Sequence, residues 1–168
     1  MNIQQLLDLI VRPTLKELNH HSLAAERLVI GTICQESRGE YIKQLGNGPA
    51  LGLIQMEPAT HDDIWRNFLI YNPKLKFKIA DLLSFKARIE SFKSTSNGRA
   101  IVPAAAELIG NLNYCAAMCR AHYLRVPHAL PAADDVQGLA DYWKKYYNTD
   151  LGKGTVDEFI NNYPRGLK

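Results

Sequence analysis

A carboxyl group and an amide lie close together in this sequence, at positions that could do acid-base chemistry. Glu36 follows the apolar residues of a predicted helix, and Gln55 is the one polar side chain between Leu51 and Met56. The negative end of a helix dipole and apolar surroundings both disfavour an ionised carboxylate, so both raise its pKa. A glutamic acid that keeps its proton at about pH 6–7 can protonate a leaving oxygen. The competing interpretation is a surface glutamate that ends a helix.

Gln55 also has two interpretations. A buried amide must find hydrogen-bond partners, or its burial costs about 1–3 kcal/mol. The side chain could hold a substrate oxygen or the carboxyl group of Glu36, or it could bond the backbone of its own loop. The sequence leaves both possibilities open.

Two sequence blocks resemble those of the soluble-type lytic transglycosylases. The first is Glu36-Ser37, and the second is ALGLIQMEPAT, from Ala50 to Thr60. That family pairs a Glu-Ser at the end of a helix with a Gly-Leu-Met-Gln segment that is closed by Pro and Thr. A later family pattern is similar to Asn113 with Tyr123-Leu124, and the match runs over residues 22–163.

The resemblance implies a lysozyme-like, mainly helical domain and a set of site residues. Glu36 matches the catalytic acid, and Ser37 matches the serine that helps to orient the glutamate or the substrate. Gln55 matches the glutamine that lines the sugar cleft. Tyr147 and Asn148 match the tyrosine and asparagine of a late Ala-Tyr-Asn-Ala-Gly segment.

That late segment departs from the family pattern. It reads YYNT at 146–149, and its glycines, Gly152 and Gly154, are displaced downstream, with Asp150 between. The departure weakens the match to the family at the wall of the cleft near Tyr147. It does not weaken the match at Glu36.

The resemblance also implies a mechanism on peptidoglycan glycan strands. The glutamic acid protonates the glycosidic oxygen that follows N-acetylmuramic acid. As a carboxylate it then takes a proton from that sugar's hydroxymethyl group, which closes an anhydro ring.

Two alternatives stay open: a true muramidase, in which Glu40 or Glu57 serves as second acid, and a weakly active virion or wall-binding module. In each case aromatic residues could stack on sugars; the candidates are Trp65, Tyr114, Trp143, Tyr146 and Tyr147.

Composition is that of a globular protein, with 46% hydrophobic and 22% charged residues in a chain of 168. We therefore expect one domain over residues 1–168. The formal net charge is +3, without a run of basic residues, so a nucleic-acid partner is not expected. Cys34, Cys115 and Cys119 are predicted to be thiols without catalytic duty, and neither a metal site nor a cofactor is expected.

The first residues lack the features of a secretory signal peptide. No segment reaches the ~18 apolar residues that span a bilayer, so we expect no stable membrane insertion. The resemblance suggests a phage enzyme made in the cytoplasm that acts on the cell wall. Such an enzyme travels in the virion, beside other virion proteins, or crosses the membrane with a holin.

Hydrophobic periodicity and capping residues predict a mainly helical chain. We expect Pro13 to kink or restart the first helix and Gly39 to close the second. A small β-hairpin could form near residues 39–54. The predicted helices cover residues 2–19, 22–37, 60–70, 74–92, 103–125, 134–147 and 155–163.

Overall fold

The computed structural model describes residues 1–94, 96, 101–149 and 152–167. In chain order the α-helices are α1 Ile3–Leu6, α2 Arg12–Glu17, α3 Leu23–Ser37, α4 Pro58–Asn67, α5 Pro73–Asp81, α6 Phe85–Ser91, α7 Glu107–Gly110, α8 Leu112–Leu124, α9 Val136–Trp143 and α10 Val156–Asn162. Leu7–Val11 and Lys144–Asn148 are π-helical turns, and Leu69–Tyr71 is a 3₁₀ turn. The chain is mainly helical, as the sequence predicts.

The first predicted helix is a continuous helical run with a π turn in its middle. The amide of Arg12 donates to the carbonyl of Leu7, and Pro13 follows in the first turn of α2. A proline has no N–H to donate and its ring disturbs the preceding turn. The wider π turn therefore takes the place of the predicted kink.

Three predicted helix boundaries are wrong. The helix predicted over 60–70 begins earlier, because Pro58 occupies the first turn of α4, a position that suits its fixed φ. The long helix predicted from residue 103 begins only at Leu112, because the side chain of Asn111 caps α8 by accepting from the Tyr114 amide. The helix predicted over 74–92 is divided into α5 and α6.

The end of α3 also differs in detail from the prediction. Arg38, not Gly39 alone, adopts the left-handed conformation that closes the helix, with φ +55°, and Gly39 follows at +66°. At the start of α3 the predicted cap is confirmed, because the Ser22 hydroxyl accepts from the Ala25 amide. The predicted capping box of α10, formed by Thr155 and Glu158, is confirmed too.

Buried side chains from helices α1 to α10 form one contiguous apolar cluster, with α8 buried along most of its length. Trp65 and Tyr114 belong to this cluster, and the Trp65 indole N–H donates to the Tyr114 hydroxyl at 2.8 Å. His61 Nε2 contacts the same hydroxyl at 2.6 Å. Neither aromatic side chain is therefore available to stack on a sugar.

No helix in the described ranges has the length and apolarity needed to cross a membrane.

The segment that follows α3 does not confirm the predicted hairpin. It contains two isolated antiparallel bridges, Lys43 with Leu51 and Leu51 with Met56. The second bridge folds residues 51–56 into a tight loop, which is closed by reciprocal hydrogen bonds of 3.0 Å between Leu51 and Met56. We call residues 50–56 the glutamine loop, because Gln55 is part of it.

Gly52 lets the glutamine loop lie directly on the core. Its φ is +71°, and a Cβ added there would lie 2.6 Å from the carbonyl oxygen of Leu108 and 2.9 Å from the thiol of Cys115. Both the left-handed backbone and the close approach to a backbone oxygen require a residue without a side chain.

We expect Gly52→Ala to destabilise the fold by about 3 kcal/mol, because the new methyl group adds a steric clash to the cost of a positive φ. The matched control is Gly46→Ala. Gly46 has a φ of +75° but nothing within 4 Å of the added Cβ. The substitution Gly46→Ala should therefore lower the free energy of unfolding by only about 1 kcal/mol. Denaturant unfolding of the three proteins measures both values. Equal losses in the two variants would mean that the contact with Leu108 is not tight.

Candidate active site

A groove of about 1410 Å³ brings the predicted site residues together. The end of α3, the glutamine loop, the start of α4, the end of α8 and the π turn after α9 contribute to it. The groove is larger than the roughly 300–1,000 Å³ of most small-molecule pockets, which fits a polymeric ligand. Glu36, Ser37, Gln55, Tyr147 and Asn148 all line it.

Glu36 is the next-to-last residue of α3, and its side chain is half-buried at the groove. Burial raises the pKa of its carboxyl group to about 7, although a hydrogen bond from Trp143 opposes the shift. The acid is therefore divided between its protonated and ionised forms near neutral pH. This is the property required of a group that first donates a proton and later accepts one.

Trp143 holds the carboxyl group of Glu36 in place. Its indole N–H donates to Glu36 Oε1 at 2.9 Å, and the indole itself is fully buried. The ring packs against Phe159, with 5.3 Å between ring centroids. It also lies against Gly154, where an added Cβ would come within 2.7 Å of the indole. Since Oε1 accepts from the indole N–H, a proton on this carboxyl group would lie on Oε2.

Ser37 is next to Glu36 but its hydroxyl contacts the backbone. The Ser37 hydroxyl lies 2.7 Å from the Leu53 carbonyl and 3.2 Å from the Ile33 carbonyl, and it accepts from the Gly39 amide. These contacts tie the end of α3 to the glutamine loop. The contacts fit a serine that positions the loop beside the glutamate.

Gln55 combines the two interpretations that the sequence left open. Its side-chain amide donates to the Gly52 carbonyl at 2.9 Å, within its own loop, and the half-buried side chain also lines the groove. The backbone of Gln55 has a φ of +45°, which is unusual for a residue with a side chain. Strain of this kind persists only where surrounding contacts hold it.

Tyr147 links the π turn after α9 to the glutamine loop. Its hydroxyl donates to the Ile54 carbonyl at 2.8 Å, one residue away from the carbonyl that Ser37 contacts. The tyrosine ring packs on His122, with 4.7 Å between ring centroids. Burial raises the pKa of the Tyr147 hydroxyl well above its usual range, so the group stays a neutral hydrogen-bond donor.

Asn148 borders the groove beside the displaced glycines. Its side-chain oxygen accepts from Lys144 Nζ at 2.7 Å, and the same ammonium group donates to the carbonyls of Thr149 and Gly152. Lys144 therefore holds the chain that follows the π turn against Asn148. Asp150, which marks the departure from the family pattern, lies outside the described residues.

His122 lines the groove as a neutral imidazole. Burial lowers its pKa to about 4, and Nε2 donates to the carbonyl of Tyr146 at 3.0 Å. Nearby, Asp63 and Arg125 form an ion pair of 3.0 Å. Neither His122 nor Asp63 is therefore poised to act as a free acid or base beside Glu36.

The two candidates for a second acid differ in position. Glu57 is exposed and lines the groove, whereas Glu40 is exposed and is not among the groove residues. Glu57 is thus the better placed of the two for any reaction that requires a second carboxylate.

The three cysteines are buried free thiols. Burial raises the pKa of Cys34 and of Cys115 to about 11, and it also raises the pKa of Cys119 well above its usual range. The described ranges contain no cluster of three or more His, Cys, Asp or Glu residues that could hold a metal ion. At neutral pH these thiols are protonated, which makes them weak nucleophiles.

Comparisons with family models, with curated proteins and with solved structures give no match for this chain.

A second depression, of about 630 Å³, lies between residues 82–84, which join α5 to α6, and the segment from residue 104 to residue 113. Several of its polar groups are paired with one another: the Ser84 hydroxyl donates to Glu107 at 2.6 Å, and the Asn111 amide donates to the Leu82 carbonyl. It presents no acid comparable to Glu36.

Sequence reasoning missed the role of Trp143. The sequence alone placed this residue among the aromatics that could stack on sugars, whereas the structure buries it against the carboxyl group of Glu36. A tryptophan in an otherwise apolar helical stripe carries one polar N–H, which needs a partner when it is buried. That requirement was the available signal, but it did not identify Glu36 as the partner.

We expect Glu36→Gln to make stability less dependent on pH. The wild-type folded chain keeps a proton that the unfolded chain releases between pH 4.5 and about 7. Wild-type stability therefore falls as pH rises through this window. Glutamine does not titrate, and its oxygen can still accept from Trp143. The variant's stability relative to wild type should rise by about 3 kcal/mol across the window.

Urea unfolding below and above the window measures this difference. Glu57→Gln is the matched control, because it replaces an exposed carboxyl group on the same groove. A constant difference between Glu36→Gln and wild type at all pH values would contradict the proposed shift in the Glu36 pKa.

Proposed function

We propose that this chain is a peptidoglycan lytic transglycosylase in which Glu36 serves as both acid and base. The observation that carries the proposal is the half-buried Glu36 carboxyl group, with a pKa raised to about 7, in a groove large enough for a glycan strand. The resemblance of the Glu36-Ser37 and Ala50–Thr60 blocks to that family supports the same conclusion. The mainly helical architecture is consistent with a lysozyme-like fold, which we propose as well.

In the first step Glu36 donates its proton to the glycosidic oxygen between N-acetylmuramic acid and N-acetylglucosamine. The bond from the muramic C1 to that oxygen breaks, and the N-acetylglucosamine leaves with a free hydroxyl group. Oε2 is the donor in this scheme, because Oε1 accepts the hydrogen bond from Trp143. Burial favours the protonated starting state.

In the second step the muramic C6 hydroxyl oxygen attacks C1, and its proton passes to the Glu36 carboxylate. A 1,6-anhydro ring forms, the acid regains its proton, and no water is consumed. The hydrogen bond from Trp143 stabilises the carboxylate between the two steps. One residue can therefore perform both proton transfers, and no second acid is needed.

Ser37 and Tyr147 act as positioning residues in this proposal. Their hydroxyl groups bond neighbouring carbonyls of the glutamine loop, which keeps Gln55 at the groove. The half-buried rings of Tyr146 and Tyr147 and the exposed Tyr41 also line the groove and offer apolar surface to sugar rings. Asn148 borders the same region.

On the strength of the resemblance we also propose a phage enzyme that acts on the cell wall, delivered in the virion or with a holin. Two alternative functions share the groove. Glu57 lines it and could serve as the second carboxylate of a true muramidase. A wall-binding module would use the groove without turnover.

Mass spectrometry of the products from purified peptidoglycan tests these three functions. A lytic transglycosylase leaves anhydro ends, which are lighter by one water than the reducing ends of a hydrolase. We expect Glu36→Gln to lower turnover by about 10²–10⁴ or more, because two proton transfers share the residue. The variant should still sediment with insoluble peptidoglycan.

Glu57→Gln is the control for this experiment. It should retain the anhydro products at near wild-type rate. If the wild type instead produced reducing ends and Glu57→Gln did not, the chain would be a muramidase. Binding without any product from the wild type would identify a binding module.

We further expect Trp143→Phe to shift the pH profile. The wild-type kcat/KM should fall above about pH 7 as Glu36 loses its proton. Removal of the indole N–H withdraws a hydrogen bond that favours the carboxylate, so the pKa of Glu36 should rise and the fall should move to higher pH. The maximal rate should drop, because the carboxylate formed in the first step is less stabilised.

Phe159→Leu is the matched control, because it loosens packing around Trp143 without removing the hydrogen bond. It should lower stability and leave the basic limb of the profile unchanged. A shift of equal size in Phe159→Leu would assign the effect of Trp143→Phe to packing alone.

A further inference from the structure

Helices α5 and α6 present large aromatic side chains to solvent on the outside of the molecule. Phe85 is 80% exposed, Phe77 is 56% exposed and Phe92, at the end of α6, is 45% exposed. The rings of Phe77 and Phe92 stack with 5.2 Å between their centroids, which joins the two helices in one surface. Phe85, Ile89 and Phe92 recur at spacings of four and three residues, so they lie on one side of α6.

This surface also carries the positive charge of the chain. The stretch from residue 73 to residue 93 contains six basic and two acidic residues, a net charge of +4. The whole chain has a formal net charge of +3, so the remainder is close to neutral. We call Phe77, Phe85, Ile89 and Phe92, together with the lysines of this stretch, the α5–α6 face.

The lysines lie among the aromatic rings. Lys76 Nζ is 5.9 Å from the centroid of the Phe92 ring, and Lys74, Lys86 and Lys93 are exposed. Two other cations of the stretch are engaged within the chain: Arg88 pairs with Asp81 at 2.7 Å, and Lys78 donates to the Glu17 carbonyl. The exposed lysines therefore supply most of the charge available to a partner.

We propose that the α5–α6 face binds the surface of an anionic phospholipid bilayer. Helices that lie in a membrane interface combine aromatic side chains on one face with lysines beside them. The rings enter the boundary between headgroups and acyl chains, while each lysine near the surface contributes about 1 kcal/mol of attraction to anionic lipid. Long lysine side chains can reach up to the phosphates from beside buried rings.

The arrangement favours a lipid surface over a protein partner. The phenylalanines line neither of the two depressions described above, so they offer exposed rings and not a concave pocket. The distribution of lysines among these rings complements a continuous anionic layer. None of these residues lines the groove of Glu36, so the membrane proposal does not depend on the proposed function.

Co-sedimentation with vesicles tests the proposal. The vesicles consist of phosphatidylcholine alone or of phosphatidylcholine with about one third phosphatidylglycerol. We expect the wild type to bind the anionic vesicles, to bind them more weakly at high salt, and to leave the neutral vesicles unbound. Phe85→Ser should weaken the partition by about tenfold, since an almost fully exposed ring cannot be needed for folding.

Charge reversal provides the second arm. The double variant Lys86→Glu with Lys93→Glu should weaken the partition by about tenfold or more. The matched controls are Leu45→Ser, which removes a 70% exposed apolar side chain outside the face, and Arg165→Glu, which reverses an exposed charge beyond α10. Both controls should stay within about twofold of the wild type.

A tryptophan at position 85 reports whether the ring enters the bilayer. In Phe85→Trp the added fluorescence should shift to the blue and be quenched by lipids with brominated acyl chains. Absence of binding to anionic vesicles at low salt, equal binding to neutral vesicles, or lack of quenching would overturn the proposal. So would analytical ultracentrifugation that finds a dimer of the wild type that Phe85→Ser dissociates, since a second copy would then cover the face.

Discussion

The protonation state of the half-buried Glu36 carboxyl group depends on the groups that surround it. Burial alone pushes the pKa of Glu36 upward, and the indole N–H of Trp143 pulls it back by favouring the carboxylate. The balance of these two effects leaves the pKa at about 7, where both protonation states are accessible. A fully apolar environment would favour the neutral acid and an open one the carboxylate, so the chemistry proposed for Glu36 requires an environment between the two.

Two hydroxyl groups fix the glutamine loop to α3 and to the π turn after α9. Ser37, the neighbour of Glu36, contacts the carbonyl of Leu53, and Tyr147 donates to the carbonyl of Ile54. Gly52 seats the same loop on the Leu108 carbonyl from below. With these three contacts the loop can keep Gln55 in a left-handed backbone conformation, which a free chain would leave.

The π turn after α9 places groove residues directly after the tryptophan that bonds to Glu36. Trp143 immediately precedes the turn and reaches Glu36, while Tyr147 and Asn148 lie within it. A π turn rotates the residues that follow it relative to a regular α-helix, and such turns occur often at functional sites. Here the buried Trp143 contacts the Glu36 carboxyl group, while Tyr147, on the same helical run, lines the groove and contacts the glutamine loop.

Local rules predicted the parts of the fold that depend on local chemistry. The cap of Ser22 and the capping box of Thr155 and Glu158 follow from residue type alone, and the structure confirms them. The Asn111 cap is of the same local kind, but the Ala-rich residues that precede it also favour a helix, so the start of α8 at Leu112 was not predicted. The division between α5 and α6 was not predicted either.

The same limit applies to the site. The five residues suggested by the resemblance do line one groove, but the partners that give them their properties come from distant parts of the chain. Trp143 is 107 residues away from Glu36, and Tyr147 is 93 residues away from the carbonyl that it contacts. Pattern and spacing identify groups capable of chemistry, whereas the pKa of an acid depends on the particular groups that bury it and bond to it.

The distribution of charge connects the groove with the α5–α6 face. Because the net positive charge is concentrated between residues 73 and 93, the field of the protein is asymmetric although its total charge is small. An asymmetric field orients a protein as it approaches a charged surface, so an anionic layer would meet the α5–α6 face first. The residues of that face and those of the groove are different, so a partner bound to one would use none of the residues that line the other.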